Sequence, residues 1–140
     1  MATSILEKLA VATFAVALTM GMISFAAAFN AGAYNCVDVT VLPDSDLYKA
    51  RHSVLDDMVG STAPESNGYY CTTSTVGGSV AFGHATCDPS KLSECNDCLK
   101  YAREFLDHIC KYSIGGQVVV GDLLDCSMHF DARPISECAT

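Results

Sequence analysis

Eight cysteines distinguish this chain of 140 residues, and all of them lie between Cys36 and Cys138. An even number of cysteines in a short exported domain predicts disulfides, although the sequence alone does not select among the many pairings. Each disulfide restricts the unfolded chain and adds about 2–4 kcal/mol to the stability of a small domain. The cysteines therefore predict a single disulfide-stabilised domain, provided that the chain is exported.

The first 28 residues have the layout of a secretory signal peptide. The N-terminal region, residues 1–8, is short and carries one lysine, and residues 9–25 are apolar. Ala26-Ala27-Ala28 then supplies the small residues that a signal peptidase accepts. An uncleaved signal anchor is the alternative, because the apolar run approaches the length of a membrane span. We interpret residues 1–28 as a signal peptide and residues 29–140 as one secreted domain, which does not insert into a membrane after cleavage.

The net charge disfavours nucleic acids and anionic membranes as partners. It is −8 at pH 7, and the exported part keeps all of it because Glu7 and Lys8 cancel. Such a surface repels phosphate backbones and anionic lipids. We therefore expect neither nucleic-acid binding nor cationic membrane lysis.

Hydrophobic periodicity predicts five strands and two helices in the order strand, helix, two strands, helix, two strands. Residues 43–46 offer a turn and a helix N-cap, and residues 60–68 are expected to form a loop. One face of the third strand consists of Ala81, Gly83 and Ala85, which predicts that another element packs closely upon it. The predicted strands are 34–42, 69–75, 79–86, 117–121 and 124–131, and the predicted helices are 47–59 and 94–111.

The second predicted helix, with Ser93 as its N-cap, has one apolar side and one polar side. All of its cysteines fall on the apolar side and are therefore predicted to face the core. The apolar side contains Cys95, Cys98, Leu99, Ala102, Phe105, Leu106, Ile109 and Cys110.

The segment from Cys87 to Cys98 holds three cysteines and allows three interpretations. A thioredoxin-type redox centre needs an exposed first cysteine at a helix N-terminus, whereas Cys95 and Cys98 share the buried side. A structural zinc site needs a second cysteine pair or two well-spaced histidines, and here one Cys-x-x-Cys is accompanied only by scattered candidates such as His108 and His129. The remaining interpretation is that Cys95 and Cys98 anchor two separate disulfides, with no metal and no catalytic cysteine.

The cysteine order also carries a family resemblance. The pattern Cys87-x7-Cys95-x2-Cys98-x11-Cys110 follows the strand Ala81-Phe-Gly-His-Ala-Thr and precedes Ser113-Ile-Gly-Gly and Leu124-Leu-Asp-Cys126. Over residues 34–131 this resembles the ginkbilobin-homologous domain, a plant cysteine-rich secretory family also called the salt-stress-response/antifungal domain. The chain departs from the family by one residue fewer before the Cys-x-x-Cys and by a longer segment between Cys110 and Cys126.

The resemblance implies an α+β domain with two helices packed on a five-stranded antiparallel sheet, in agreement with the order of elements above. Two cysteines, Cys71 and Cys138, have no counterpart in the family's pattern. In an exported protein they most simply bridge each other, and an intermolecular bond through either is the alternative. The pairings that the resemblance implies for the others are Cys36–Cys110, Cys87–Cys95 and Cys98–Cys126.

The activity that the resemblance implies is mannose binding with growth inhibition of fungi. The family's sugar site uses an asparagine, an arginine and an acid, and these positions hold Val37, Gln117 and Asp131 here. Val37 cannot form a side-chain hydrogen bond, so we predict Gln117 and Asp131 as the ligand-binding residues. The alternatives are that Gln117 is a surface turn residue and Asp131 a solvated acid at a strand end. The implied partners are mannose-containing glycans of the fungal cell wall, met in the plant apoplast.

Enzymatic chemistry has no signature in this sequence. Neither a Gly-x-Ser-x-Gly elbow nor a phosphate loop nor a dinucleotide fingerprint occurs, and no carboxylate pair can be assigned as a glycosidase dyad. His84 and His129 are expected on the outer side of their strands as ordinary surface residues. The expected function is a secreted, non-enzymatic, lectin-like defence protein without a cofactor. The alternative is an apoplastic interaction or signalling module that binds a receptor ectodomain or a cell-wall component.

Overall fold

A computed structural model describes residues 29–122 and 124–139, with the backbone alone at positions 63–66. The predicted signal peptide, residues 1–28, lies outside the described residues. From Ala31 onward the elements follow the predicted order. They are β1 (Ala31–Cys36), α1 (Asp46–Ser66), β2 (Tyr69–Val76), β3 (Ser79–Cys87), α2 (Leu92–Ile109), β4 (Gly115–Val120) and β5 (Cys126–Asp131), with short 3-10 turns at Pro89–Lys91 and Ser136–Cys138.

The strands form one five-stranded antiparallel sheet in the order β1-β4-β5-β3-β2. Helix α1 packs mainly on β2 and β3, α2 packs mainly on β4 and β5, and the two helices contact each other. Both helices lie on the same face because its side chains are the buried apolar ones, such as Ala85, Val118 and Met128. The predicted α+β class, with two helices on a five-stranded antiparallel sheet, is confirmed.

The hairpin between β2 and β3 follows the prediction closely. Gly77 and Gly78 have φ angles of 54° and 86°, a left-handed conformation that glycine adopts without steric cost. Beyond the turn, Ala81 and Ala85 are buried, and a Cβ at Gly83 would overlap Val54 of α1. The predicted close packing on this small-residue face is therefore confirmed, and the packing element is α1.

Helix α1 is longer than predicted, and the expected loop at residues 60–68 is wrong as far as Ser66. Ser45 caps the N-terminus, where its side chain accepts a hydrogen bond from the backbone N–H of Tyr48. Near the other end, Thr62 is fully buried and its hydroxyl donates to the carbonyl oxygen of Met58 at 2.5 Å. Burial of the last turns against the sheet outweighs the penalty of about 1 kcal/mol for a helical glycine at Gly60. The helix ends at Asn67, which has a φ of 49°.

Helix α2 begins at Leu92, directly after the 3-10 turn, so Ser93 lies inside the helix and is not its N-cap. Cys95 and Cys98 are each 1% exposed, and Cys110, which follows the last helical residue, is 2% exposed. The prediction that all three cysteines face the core is confirmed. Ile109 is 42% exposed and contradicts its predicted burial, because the helix ends there as Cys110 turns toward β1.

Boundaries of three strands, β1, β4 and β5, differ from the predictions by two residues or more. β1 starts and ends earlier than predicted, because after Cys36 the chain follows β4 only through single contacts such as the bond from Val37 N to Gly115 O at 2.8 Å. β4 begins at Gly115, two residues before the predicted start. β5 begins at Cys126 because Leu124 has a φ of 55°, which interrupts an extended strand.

Four disulfides connect these elements, and the described residues include no free cysteine. Three of them are the pairs that the resemblance implies, and the fourth joins the two surplus cysteines within the chain. The bonds are Cys36–Cys110 (β1 to the end of α2), Cys87–Cys95 (β3 to α2), Cys98–Cys126 (α2 to β5) and Cys71–Cys138 (β2 to the C-terminal turn).

A buried arginine also joins the helices, and no sequence pattern pointed to it. Arg51 of α1 is 2% exposed and donates a hydrogen bond to the carbonyl oxygen of Lys111. Its guanidinium lies 4.6 Å from the ring centroid of Phe130, and Nη2 is 3.5 Å from Asp107 Oδ1. Burial lowers the pKa of Arg51, with opposing contributions from Asp107 and Tyr48. The charge thus sits in an aromatic and carbonyl-lined site between α1, α2 and β5.

Candidate functional site

The face of the sheet opposite the helices carries a row of side chains that crosses all five strands. The register aligns one residue from each strand, and most of them are polar. The row is Cys71, His84, His129, Gln117 and Asn35. Gln117 is therefore an exposed residue within a strand, and the alternative that it is a turn residue is wrong.

Asp131 ends β5 on the same face and is buried, with 8% of its surface exposed. The carboxylate is held by Arg133. Oδ1 accepts from the backbone N–H at 2.9 Å and from Nε at 3.0 Å, and Oδ2 accepts from Nη2 at 3.0 Å. The alternative of a solvated strand-end acid is therefore wrong, because a two-pronged ion pair fixes this carboxylate.

The ion pair determines the protonation state of Asp131. Burial by itself raises the pKa of a carboxyl group, but the side-chain and backbone hydrogen bonds from Arg133, together with its charge, outweigh that effect. The pKa of Asp131 consequently lies below its ordinary value of 3.8. At neutral pH the site presents an oriented, ionised carboxylate.

Replacing Asp131 with asparagine is expected to destabilise the protein at neutral pH but not in acid. Because the pKa of Asp131 is lower in the folded state, the ionised carboxylate stabilises the fold fully above its unfolded-state pKa. This contribution to the free energy of unfolding disappears as the pH falls through the folded-state pKa. Urea unfolding of the wild type and the variant, at neutral pH and below about pH 3, measures the difference in their free energies of unfolding. The control is Asp122→Asn, at an exposed acid between β4 and β5. A difference that is independent of pH, or that the control reproduces, contradicts the prediction.

The structure brings Val37 and Asp131 to the same place, on either side of Gly115. A Cβ at Gly115 would lie 2.8 Å from Asp131 Oδ2 and 3.0 Å from Val37 Cγ2, so the missing side chain leaves room for both. Gln117 is the next residue of β4 on this face, and it lies diagonally across from Asp131 in the register. Such diagonal neighbours have Cα atoms about 7–8 Å apart, so one small ligand can reach both side chains. The described hydrogen bonds do not join Gln117 to Asp131.

Sequence reasoning missed Arg133. The resemblance places an arginine at the position of Gln117, and its absence removed a positive charge from the predicted site. Arg133, in the segment after β5, places a guanidinium beside Asp131 instead. The available signal was the spacing Asp-x-Arg at the end of a strand, where an aspartate side chain commonly accepts from the backbone N–H two residues later.

The C-terminal segment borders this site and forms one wall of a groove. Cys138 is bonded to Cys71 with a Cα–Cα distance of 5.8 Å, and Tyr69 Oη donates to the carbonyl oxygen of Glu137 at 2.5 Å. The groove has a volume of about 320 Å³. Its lining residues are His129, Asp131, Arg133, Pro134, Ile135, Ser136 and Glu137.

His84 is half-buried beside this groove and is not the ordinary surface residue expected from the sequence. Its ring packs edge-to-face against Tyr69 with centroids 4.9 Å apart, and Nε2 is buried with no hydrogen-bond partner among the described residues. Burial lowers the pKa of His84, Glu137 opposes this, and His129 lowers it further. The imidazole is therefore neutral at pH 7 and packs as an aromatic ring.

Known structures share this architecture. The tandem DUF26 ectodomain of the Arabidopsis thaliana cysteine-rich receptor-like protein PDLP5 matches with a TM-score of 0.62 and 22% identity, over 75% of this chain and 51% of that chain. The corresponding ectodomain of PDLP8 matches with a TM-score of 0.55 and 22% identity, over 73% of this chain and 45% of that chain. This chain has the DUF26 fold. It spans about half the length of the two ectodomains. DUF26 is the ginkbilobin-like domain, so the fold agrees with the resemblance drawn from the cysteine order.

No model of a known protein family matches the sequence. No curated protein matches it either. Within this DUF26 fold, no helix of the described residues is long and apolar enough to cross a bilayer. Residues 29–122 and 124–139 also contain no group of three or more His, Cys, Asp or Glu side chains arranged to hold a metal ion.

Proposed function

We propose that this protein is an extracellular, non-enzymatic carbohydrate-binding domain of plants that recognises mannose-containing glycans and restrains fungal growth. The DUF26 fold, found in plant receptor-like ectodomains, and the four disulfides support the compartment. The observation that carries the proposal is Asp131, an ionised carboxylate oriented by Arg133 at the wall of a groove of about 320 Å³.

The groove contains the groups that a sugar needs. A carboxylate accepts hydrogen bonds from adjacent hydroxyl groups, and a guanidinium with free N–H groups donates to ring and hydroxyl oxygens. Arg133 is 67% exposed, so the N–H groups that do not bind Asp131 remain accessible. Gln117 provides both a donor and an acceptor at the neighbouring position of the sheet. Arg133 thus replaces the charge that Gln117 lacks, while the apolar side chain of Val37 offers a sugar no hydrogen bond.

The lowered pKa of Asp131 supports a binding role over a glycosidase role. A general acid in glycoside hydrolysis needs a carboxyl group whose pKa is raised, so that it carries a proton at working pH. Asp131 has the opposite shift and is paired with a cation. Its geometry suits a hydrogen-bond acceptor that does not exchange protons with a ligand.

Binding to mannose resin and to a glycan array tests this function. Hydrogen bonds to charged groups contribute about 1.5–3 kcal/mol, so Asp131→Ala is expected to weaken binding by about tenfold or more. Gln117→Ala is expected to have a smaller effect, because its amide is uncharged. Asp122→Ala is the matched control, since it removes an exposed acid outside the groove. The lectin assignment is abandoned if the wild type binds no glycan, or if both site variants bind as the wild type does.

A second candidate is a protein-docking module that binds a receptor ectodomain or a cell-wall component. It is favoured by the similar structures, which are ectodomains of receptor-like proteins containing two DUF26 domains where this chain supplies the length of one. Titration against a purified receptor-like ectodomain distinguishes the two. Saturable protein binding without glycan binding supports the second candidate.

A further inference from the structure

The two edge strands of the sheet differ in how they are protected from pairing with another strand. β1 has a shift of register between Ala31 and Tyr34, and such irregularities disrupt an edge. β2 pairs with β3 over all eight of its residues without a break in register. Its sequence, YYCTTSTV, contains no charged residue and no proline. β2 therefore lacks the usual features that prevent an edge from pairing.

The backbone of β2 has free hydrogen-bonding groups on this edge. The two-residue turn places Val76 opposite Ser79, and in an antiparallel hairpin this closing pair and every second pair beyond it exchange backbone hydrogen bonds. The residues between those pairs direct their N–H and C=O groups away from β3. In the described part of the chain, the backbone hydrogen bonds outside the sheet ladders use none of these groups. The outward-facing residues are Cys71, Thr73 and Thr75.

The described part of the C-terminal segment makes no backbone hydrogen bond to this edge. Its disulfide reaches Cys71 through the side chain, on the outer face of the sheet. The backbone N–H groups of Cys138 and Ala139 bond to Ile135 and Ser136, at 3.0 and 3.1 Å, and so stay within the segment. The edge of β2 thus lies beside the tail, and its outward backbone groups have no backbone hydrogen bond among the described residues.

We propose that β2 pairs antiparallel with β2 of a second copy of this chain, across a two-fold axis at Thr73. This register places Thr73 opposite its counterpart and Cys71 opposite the second copy's Thr75. Each of the three outward-facing residues then exchanges two backbone hydrogen bonds with the residue opposite. The two five-stranded sheets become one continuous sheet, with β1 and its irregular register at both ends.

The chemistry of the edge favours a second copy as the partner. A net charge of −8 opposes self-association in general, yet β2 itself contains no acidic residue. The Asp57 carboxylate that accepts from Tyr70 and Thr72 belongs to α1, on the other face of the sheet from Thr73. Threonine opposite threonine is a favourable cross-strand pair, so the two-fold register creates no like-charge contact within the strand pair. An apolar hollow of about 300 Å³ borders the edge, lined by Thr73, Phe82, Ile135 and the Cys71–Cys138 bond among others. In the proposed register the second copy's Thr75 methyl group lies beside this hollow. A two-fold pairing also uses the β2 edge of each copy, so that no third copy can pair in the same way.

Sedimentation velocity of the secreted protein between about 1 µM and 1 mM tests the proposal. The wild type is expected to shift from monomer to dimer as its concentration rises. Thr73→Lys places two like charges at the axis and is expected to weaken dimerisation by about tenfold or more. Thr73→Val keeps the backbone and the branched shape, so it should dimerise like the wild type. Asn35→Lys adds the same charge at the β1 edge and should also dimerise.

Hydrogen exchange supplies a second measurement that depends on the position of the contact. The amides of Thr73 and Thr75 are expected to exchange more slowly at high concentration, while those of β1 are unchanged. Far-UV circular dichroism and thermal melting establish that Thr73→Lys remains folded, as an exposed position predicts. A wild type that remains monomeric at about 1 mM, or a Thr73→Lys variant that dimerises as strongly as the wild type, overturns the proposal.

Discussion

Replacing Cys98 and Cys126 together with alanine is expected to lower the free energy of unfolding by about 3–4 kcal/mol. The bond closes a loop with a sequence separation of 28, and its removal returns that conformational freedom to the unfolded chain. Both cysteines are 1% exposed and join α2 to β5, so the variant also weakens the packing of a helix on the sheet. A domain of this size would melt roughly 10–25 °C lower. Urea unfolding and thermal melting measure the two quantities.

The double variant Cys87→Ala, Cys95→Ala is the matched control. It also removes a buried bond between α2 and a strand, but its sequence separation is only 8. The same relation between loop length and entropy predicts a loss of about 2–3 kcal/mol. The ranking of the two variants is therefore the test, and a larger loss from the shorter loop would show that native-state packing outweighs loop entropy here.

Replacing Gly83 with alanine is expected to destabilise the protein by about 1–3 kcal/mol. Alanine normally fits a strand better than glycine does. In β3, however, the added Cβ would overlap Val54 Cγ1 and lie 2.9 Å from Met58 Sδ, both on α1. Helix α1 would have to move off the sheet, or the side chains of Val54 and Met58, which are both fully buried, would have to change rotamers. Chemical denaturation of the purified variant gives the free-energy change.

Gly60→Ala is the control, because it adds the same methyl group to α1 where no atom lies within 4 Å. Gly60 is an exposed helical residue, so the substitution should stabilise the protein by about 0.5–1 kcal/mol. The two glycine substitutions thus have opposite expected signs. A neutral or stabilising Gly83→Ala would mean that α1 does not pack against β3 as closely as these distances imply.

Local patterns predicted most of the elements but not all of their ends. The alternation in β3 and the Gly77-Gly78 turn depend on neighbours along the chain, so residues 69–87 could be read directly. The spacing of cysteines along α2 likewise identified a buried side. Helix α1 continued through Gly60 against its local preference, because Thr62 is buried against other elements. The low intrinsic helix propensity of a residue is overridden where burial against distant parts of the chain contributes more free energy.

The candidate site was less predictable than the fold. Alternation placed Asp131 on the outer face of β5, where solvent exposure is the usual outcome. Asp131 is buried instead, because Arg133 in the segment after β5 covers its carboxylate and the Cys71–Cys138 bond holds that segment near the sheet. His84 is half-buried beside its cross-strand neighbour Tyr69, whose hydroxyl donates to the carbonyl oxygen of Glu137 in the same segment. The positions of Arg133, Glu137 and Cys138 depend on the folding of the C-terminal segment, which carries no periodic pattern.

By itself the sequence determined the number and order of the elements, the burial of the cysteines in α2 and the small-residue face that receives α1. These properties follow from side-chain periodicity and turn residues, which act within one helix or strand. Only the tertiary structure decided the placement of Asp131 beside Val37 at Gly115, the burial of Arg51 between the helices and the open edge at β2. Those features depend on which distant segments meet, and the sheet order and disulfides settle that once the whole chain has packed.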